Sequence, residues 1–188
     1  MRFTLITGCD RSGTKYTATL LQKLGIECHH EEAFRPPVVG VPTWTGVEVS
    51  WLAAPYTVDA VMFHQLRDPI AVICSFMRAG NFVKDDVYRQ HIYRFLPHLE
   101  GLPAVEQAMT YWIEWNGFIS GLQYHIEDVG ASEWIEWLGL EVDPGNLELL
   151  KNINTTGPRL ENEHTWDTLP QGKLLERLRK AARRYGYL

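Results

Sequence analysis

The chain has 188 residues, 18 Lys and Arg against 23 Asp and Glu, and a formal net charge of −5. That length fits one ordinary domain around one substantial core, and the acidic balance disfavours a general nucleic-acid binder, which needs a basic face for phosphates. No run approaches the ~20 apolar residues of a membrane span, and MRFTLITG leaves no room for a cleaved leader, so a cytoplasmic protein without membrane or nucleic-acid partners is expected.

In chain order, Phe3, Leu5 and Ile6 read as a buried first strand, and Ala18, Leu20, Leu21 and Leu24 as the apolar face of a helix. Between them lies the most informative stretch, Thr7 to Leu21, TGCDRSGTKYTATLL. Strand, glycine-bounded loop and helix in that order can hold phosphate. Gly8 and Gly13 permit a tight turn, so that backbone N–H groups and the positive end of the helix point at one anion. Ser12, Thr14 and Lys15 add hydroxyl donors and a cation. The order departs from a Walker loop, because Thr14 precedes Lys15 and Tyr16 stands where the magnesium-binding hydroxyl would be.

Gly25 ends the helix, and Ile26 to Cys28 form a short second strand leading into His29, His30, Glu31 and Glu32. Pro36, Pro37, Gly40, Pro42 and Gly46 mark a long irregular loop that carries Trp44. Val47 to Tyr56 is ambiguous, with a short helix around Ser50 to Ala54 as one reading. Asp59 to Leu66 gives a third strand, and Arg67 follows at once. Asp68 and Pro69 read as N-cap and first residue of a helix that continues to about Gly80. Asp85 to Leu96 reads as a surface helix, and Gly101 to Pro103 breaks the chain again.

Ala104 to Leu122 is the longest periodic stretch. Met109, Trp112, Trp115, Ile119 and Leu122 share a face, and the two tryptophans read as core. Gln123 to Ile126 is a fourth strand ending at Glu127 and Asp128. Ala131 to Leu138 is helical, Pro144 to Leu150 more weakly so, Lys151 to Pro170 is loop, and an amphipathic helix over Gln171 to Tyr185 closes the chain. Its cluster of Lys173, Arg177, Arg179, Lys180, Arg183 and Arg184 reads as a solvated face. Cys9, Cys28 and Cys74 lack metal-ligand spacing and do not form a disulfide framework.

Strands alternating with helices imply an α/β fold, a parallel sheet with helices on both faces. Ligands bind such sheets beyond the carboxyl ends of the strands. Four clusters, Gly8 to Lys15, His29 to Glu32, Arg67, and Glu127 to Asp128, each follow a predicted strand and should converge on one edge.

The R-S-G-T core at Arg11 to Thr14 resembles the phosphosulfate loop of the PAPS-dependent sulfotransferases, especially bacterial-type members. RDPIAVICSF, Arg67 to Phe76, resembles that family's second element, an Arg at a strand end with a Ser eight residues on. The resemblance implies a single three-layer P-loop NTPase-like domain over residues 1–188. It also implies transfer of a sulfuryl group from the co-substrate PAPS to a hydroxyl or amine of a small-molecule or carbohydrate acceptor, with no metal required.

Carried over residue by residue, Arg11 would meet the oxygen that leaves with PAP, while Ser12, Gly13 and Thr14 cradle the 5′-phosphate. Lys15 replaces a second Thr of the cytosolic pattern, Tyr16 stands where many members stack a Trp on adenine, and Arg67 and Ser75 would grip the 3′-phosphate. The transfer needs alignment, charge stabilisation and a general base. His30 and Glu31 lead as the base, with Glu32, His29 and His64 as alternatives. Glu127-Asp128 resembles a structural E-D element of the family, and Thr165 to Pro170 and Tyr185 to Tyr187 resemble bacterial endings. The family's R-K-G loop is missing, with Thr155, Thr156, Gly157 and Arg159 in its region. A nucleotide or small-molecule kinase and a non-catalytic nucleotide-binding module remain as rival readings.

Overall fold

Short strands, buried along β3 and most of β1, assemble into a five-stranded sheet. The computed structural model describes residues 3–35, 46–80, 82, 87–139 and 164–188. The strands are β1 (Thr4–Gly8), β2 (Cys28–His30), β3 (Val47–Val49), β4 (Val61–Leu66) and β5 (Leu122–His125), in spatial order β2-β3-β1-β4-β5. Every pairing is parallel, so all five carboxyl ends lie along one edge.

Successive residues of β1 point to opposite faces and enter different cores. Ile6 packs with Leu20, Leu21, Phe63, Tyr124 and Trp134, beneath α1 (Thr14–Lys23) and α5 (Ala131–Leu138). Leu5 joins the larger cluster of Leu66, Ile73, Phe76, Trp112, Trp115 and Leu178. That second core lies under α2 (Pro69–Ala79), α3 (Val87–Phe95), α4 (Ala104–Gly117) and α6 (Lys173–Arg184). Trp112 and Trp115 are fully buried, as their helical spacing predicts. Truncating either to Ala should cost roughly 3–5 kcal/mol.

Several boundaries differ from the sequence expectation. The second strand begins at Cys28, not Ile26, because the Ile26 N–H still closes the end of α1 on the Leu21 carbonyl at 3.1 Å. His29 and His30 therefore belong to the strand. Val47–Val49 forms a fifth strand between β1 and β2, hidden in the sequence by its three-residue length and its central Glu48. The turn after it is a single 3-10 turn over Trp51–Ala53.

The long helix stops at Gly117 and does not reach Leu122, which opens β5. Tight turns donate Phe118 N–H to Trp115 O and Ile119 N–H to Asn116 O. Gly121 then lies so close to β4 that a Cβ there would meet the Met62 carbonyl oxygen at 2.6 Å. The segment read as a surface helix is α3, whose His91 and Ile92 are buried. Ala131–Leu138 and the Pro69 start have the expected bounds. Trp44, the proline-rich loop over 36–42, the turn over 144–150, and Thr155, Thr156, Gly157 and Arg159 lie outside the described residues. Among the described residues, no helix is long and apolar enough to cross a membrane.

Candidate functional site

The loop after β1 enters α1 on one face of the sheet, whereas the segment after the adjacent β4 enters α2 on the other. Neighbouring strands whose connections depart in opposite directions leave a crevice at their carboxyl ends. A cavity of about 430 Å³ opens there. Arg11, Gly13, Thr14, Lys15, His30, Glu31, Arg67 and Ser75 all border it, so the loop, the second cluster and the Arg67 element converge as the sequence predicts.

The loop is held from below. Gly8 passes against β4 so tightly that a Cβ would stand 2.3 Å from the Gln65 carbonyl oxygen and 2.7 Å from Ser12 Oγ. Fully buried Gln65 then anchors the turn: its Nε2 donates to Ser12 O at 2.8 Å, and its Oε1 accepts from Thr17 Oγ1 at 2.6 Å and Tyr124 OH at 2.5 Å. Gly13, at φ +96°, is the N-cap of α1, and no side chain caps that helix. With glycine at the N-cap, the capping residue itself offers the first turn of α1 no side-chain acceptor, the condition under which a helix start receives an anion.

Arg11 and Glu31 are the non-glycine residues of the described chain in the left-handed region, at φ +65° and +60°, and both border the cavity. Such backbone persists where surrounding contacts over-determine it. For Arg11 the contacts are explicit. Its N–H donates to Asp10 Oδ1 at 2.7 Å, its carbonyl accepts from Arg67 Nη1 at 2.8 Å, and its Nε donates to Ser75 Oγ at 3.1 Å. Asp10 N–H in turn donates to the hydroxyl of fully buried Tyr111 at 2.9 Å.

Arg67 is fixed by its own helix start. Asp68 caps α2 by accepting Ala71 N–H at 2.9 Å, Pro69 supplies the first helical residue, and Trp112 Nε1 donates to Arg67 O at 3.2 Å. Ser75 then falls in the second turn of α2, in reach of Arg11. The spacing from Arg67 to Ser75 therefore brings both to one cavity through local rules alone.

On the far side of the loop stand the two candidate bases. His30 Nε2 lies 3.4 Å from Thr14 Oγ1 and 3.6 Å from Glu31 Oε1. Burial, then the Lys15 charge, holds its imidazole below the usual histidine range and favours the neutral ring. Burial pushes the Glu31 carboxyl up to about 7, with the Asp10 charge acting in the same direction. The Trp51 indole N–H, Arg35 and Lys15 oppose that rise. A carboxylate poised there can accept a proton near neutral pH.

Beneath this side lies a second perturbed acid. Glu48, the middle residue of β3, is fully buried, with the backbone amides of Ala33 and Glu32 turned toward its carboxylate. Burial pushes it up to about 7, against the backbone amides of Ala33 and Glu32 and the neighbouring His29.

Not every predicted residue reaches the cavity. Ser12 is fully buried and engaged with Gln65, so it supports the loop and does not line the space. Tyr16 is half-buried against the apolar cluster under α1, away from the lining. His64 is fully buried, with Nε2 3.0 Å from Asn116 Oδ1, and does not border the cavity. His29 and Glu32 pair at 2.8 Å outside the cavity lining. Glu127 ties loops together, accepting Asp68 N–H at 2.9 Å and the Tyr187 hydroxyl at 3.2 Å, so this cluster shares the edge but not the cavity.

The cavity also contains residues that sequence reading missed. Asp10 could have been found from its place in the loop. Trp51, Tyr88, Arg89 and Ile92 carry no such signal, since only packing brings α3 over the mouth. Trp51 is anchored by Trp115 Nε1, which donates to its carbonyl at 3.1 Å, and α3 by His91, whose Nε2 lies 3.3 Å from Leu52 O. Among the described residues, no group of three or more His, Cys, Asp or Glu could hold a metal ion. No protein-family model matches the chain, and no curated protein matches it either.

Proposed function

We propose that this protein is a PAPS-dependent sulfotransferase on a P-loop-like α/β scaffold. The observation that carries the reading is the bond from Arg11 Nε to Ser75 Oγ, together with that from Arg67 Nη1 to Arg11 O. These contacts bring the glycine-bounded loop and the Arg-to-Ser helix, two separate elements suited to phosphate, to one crevice. A donor with phosphates on both the 3′ and 5′ oxygens of its ribose fits such a pair better than a nucleotide with one phosphate chain. Arg67 uses one of its five N–H donors on the loop, and its planar fork suits phosphate oxygens.

In the proposed step Glu31 takes the proton of the acceptor hydroxyl or amine. The acceptor heteroatom forms a bond to sulfur as the bond from sulfur to the bridging 5′-phosphate oxygen breaks. The electron pair of that bond stays on the departing PAP oxygen, where Arg11 and Lys15 stabilise the growing charge. His30, held neutral between Thr14 and Glu31, orients the acid. Ser12 acts from beneath the loop, and Tyr16 has no assigned contact with the donor.

Calorimetry with PAP, ADP and ATP tests the reading. PAP should bind at least about ten-fold more tightly than ADP with no magnesium present, and a preference for magnesium-ATP would overturn the proposal in favour of a kinase. Arg11→Ala should lose turnover of labelled PAPS, and PAP binding without transfer to any of a broad acceptor panel would leave a binding module.

A further inference from the structure

The order of the sheet separates the cavity into two halves. Arg67 and Ser75 stand on the β4 side of the loop, whereas Glu31 and Trp51 follow β2 and β3 on the other side. Over that second half lies α3. Tyr88 and Ile92, four residues apart and so on one helix face, border the space together with Arg89. Tyr88 stands 5.9 Å from Trp51, ring centre to ring centre, at 48° between planes. Arg89 is held in place by donation from Nη1 to Phe82 O at 3.4 Å and by its guanidinium carbon 5.6 Å from the Tyr93 ring centre.

This inference rests on the sulfotransferase reading and extends it to the acceptor. The donor's phosphates and sulfuryl group have Arg11, Lys15 and Arg67 as counter-charges. Arg89 is a fourth cation at the cavity, on the helix that also presents Tyr88 and Ile92 to it. An aromatic and aliphatic surface with one positioned guanidinium matches a flat apolar body that carries an anionic group. We propose that Tyr88, Ile92 and Arg89 form the acceptor subsite, and that Arg89 selects an acceptor bearing a carboxylate or similar anion on the same ring system as its nucleophilic hydroxyl.

The test uses the full chain saturated with PAP and titrated with para-hydroxybenzoate or with its neutral counterpart, para-hydroxybenzyl alcohol. The anionic phenol should bind about ten-fold or more tightly than the neutral one, the scale of one charge-assisted contact. Arg89→Gln should abolish that preference while keeping PAP affinity within about two-fold of wild type, and Arg89→Lys should retain part of it. Equal binding of the two phenols, or no detectable binding of either, would overturn the acceptor assignment. So would a loss of PAP affinity in Arg89→Gln, which would place this cation with the donor. Failure of the wild-type protein to bind PAP would instead remove the underlying reading.

Discussion

On the β4 side of the loop, one contiguous segment supplies the functional groups. Arg67 ends a strand, Asp68 caps the next helix, and Ser75 comes round one face of that helix to meet Arg11. On the β2–β3 side, groups far apart in the chain meet through two three-residue strands, and the result is a pair of acids held up near 7, one facing the cavity and one buried beneath it. The first side presents the permanently charged guanidinium groups of Arg11 and Arg67 with the neutral Ser75 hydroxyl. The second side stores proton affinity. In the proposed reaction the guanidinium groups that would grip the donor stand across the loop from the acid that would take the proton, and burial of that acid outweighs the opposing charges of Lys15 and Arg35.

The largest effect should come from the proton-accepting side. Glu31→Gln keeps the size of the side chain but removes the base, and should lower kcat with PAPS and a working acceptor by roughly 10²–10⁴-fold. PAP affinity should be nearly unchanged. A turnover within a few-fold of wild type would show that the division between the two sides is wrong, and would return the role to His30. In the wild type, the acid must be ionised to act. Since its carboxyl is pushed up to about 7, kcat should rise with pH to about 7 and level off above it.

A second test addresses the clamp. Arg67→Ala removes the donor to Arg11 O and a guanidinium from the cavity. PAP affinity should fall about 100-fold, on the scale of one or two charge-assisted hydrogen bonds, whereas the pH dependence of any residual turnover should keep its midpoint. A displaced midpoint would mean that the two sides are coupled.

The smallest effect concerns the acid below the site. Glu48 has a folded pKa of about 7, above its ordinary 4.5, so the folded chain binds a proton that the unfolded chain has lost between those values. Stability conferred by this protonation is complete below about pH 4.5 and is lost as pH rises through 7. Glu48→Gln should therefore gain roughly 2–3 kcal/mol over wild type at pH 8 relative to pH 4. Thermal melts of both proteins across that range measure the difference. A constant offset would mean that Glu48 carries no stored proton affinity.

Some of this was legible in the chain because it depends on near neighbours. The glycine-bounded loop, the Asp68-Pro69 helix start and the step from Arg67 to Ser75 follow from turn, cap and helix geometry over a few residues. The same local rules do not place a side chain where a distant partner decides its surroundings. Tyr16 follows the loop in sequence, yet helix α1 turns it toward the apolar cluster. Ser12 belongs to the phosphate-loop pattern, yet Gln65 takes its carbonyl from below. His64 carries a titratable ring, yet its strand faces the core and delivers it to Asn116.

What the sequence alone determined is the alternation of strand and helix, the position of the glycine-bounded loop, and the cation that ends β4, because periodicity, capping and glycine placement act over one or two turns of chain. What only the tertiary structure decided is the other half of the cavity. The insertion of β3 between β2 and β1 puts Glu31 and Trp51 opposite Arg67, and the packing of His91 and Ile92 onto the second core swings Tyr88 and Arg89 over the mouth. Strands as short as β3, with a charged residue at their centre, carry too little pattern to be read in advance. Their places are set by the hydrogen bonds and apolar surface that their neighbours offer.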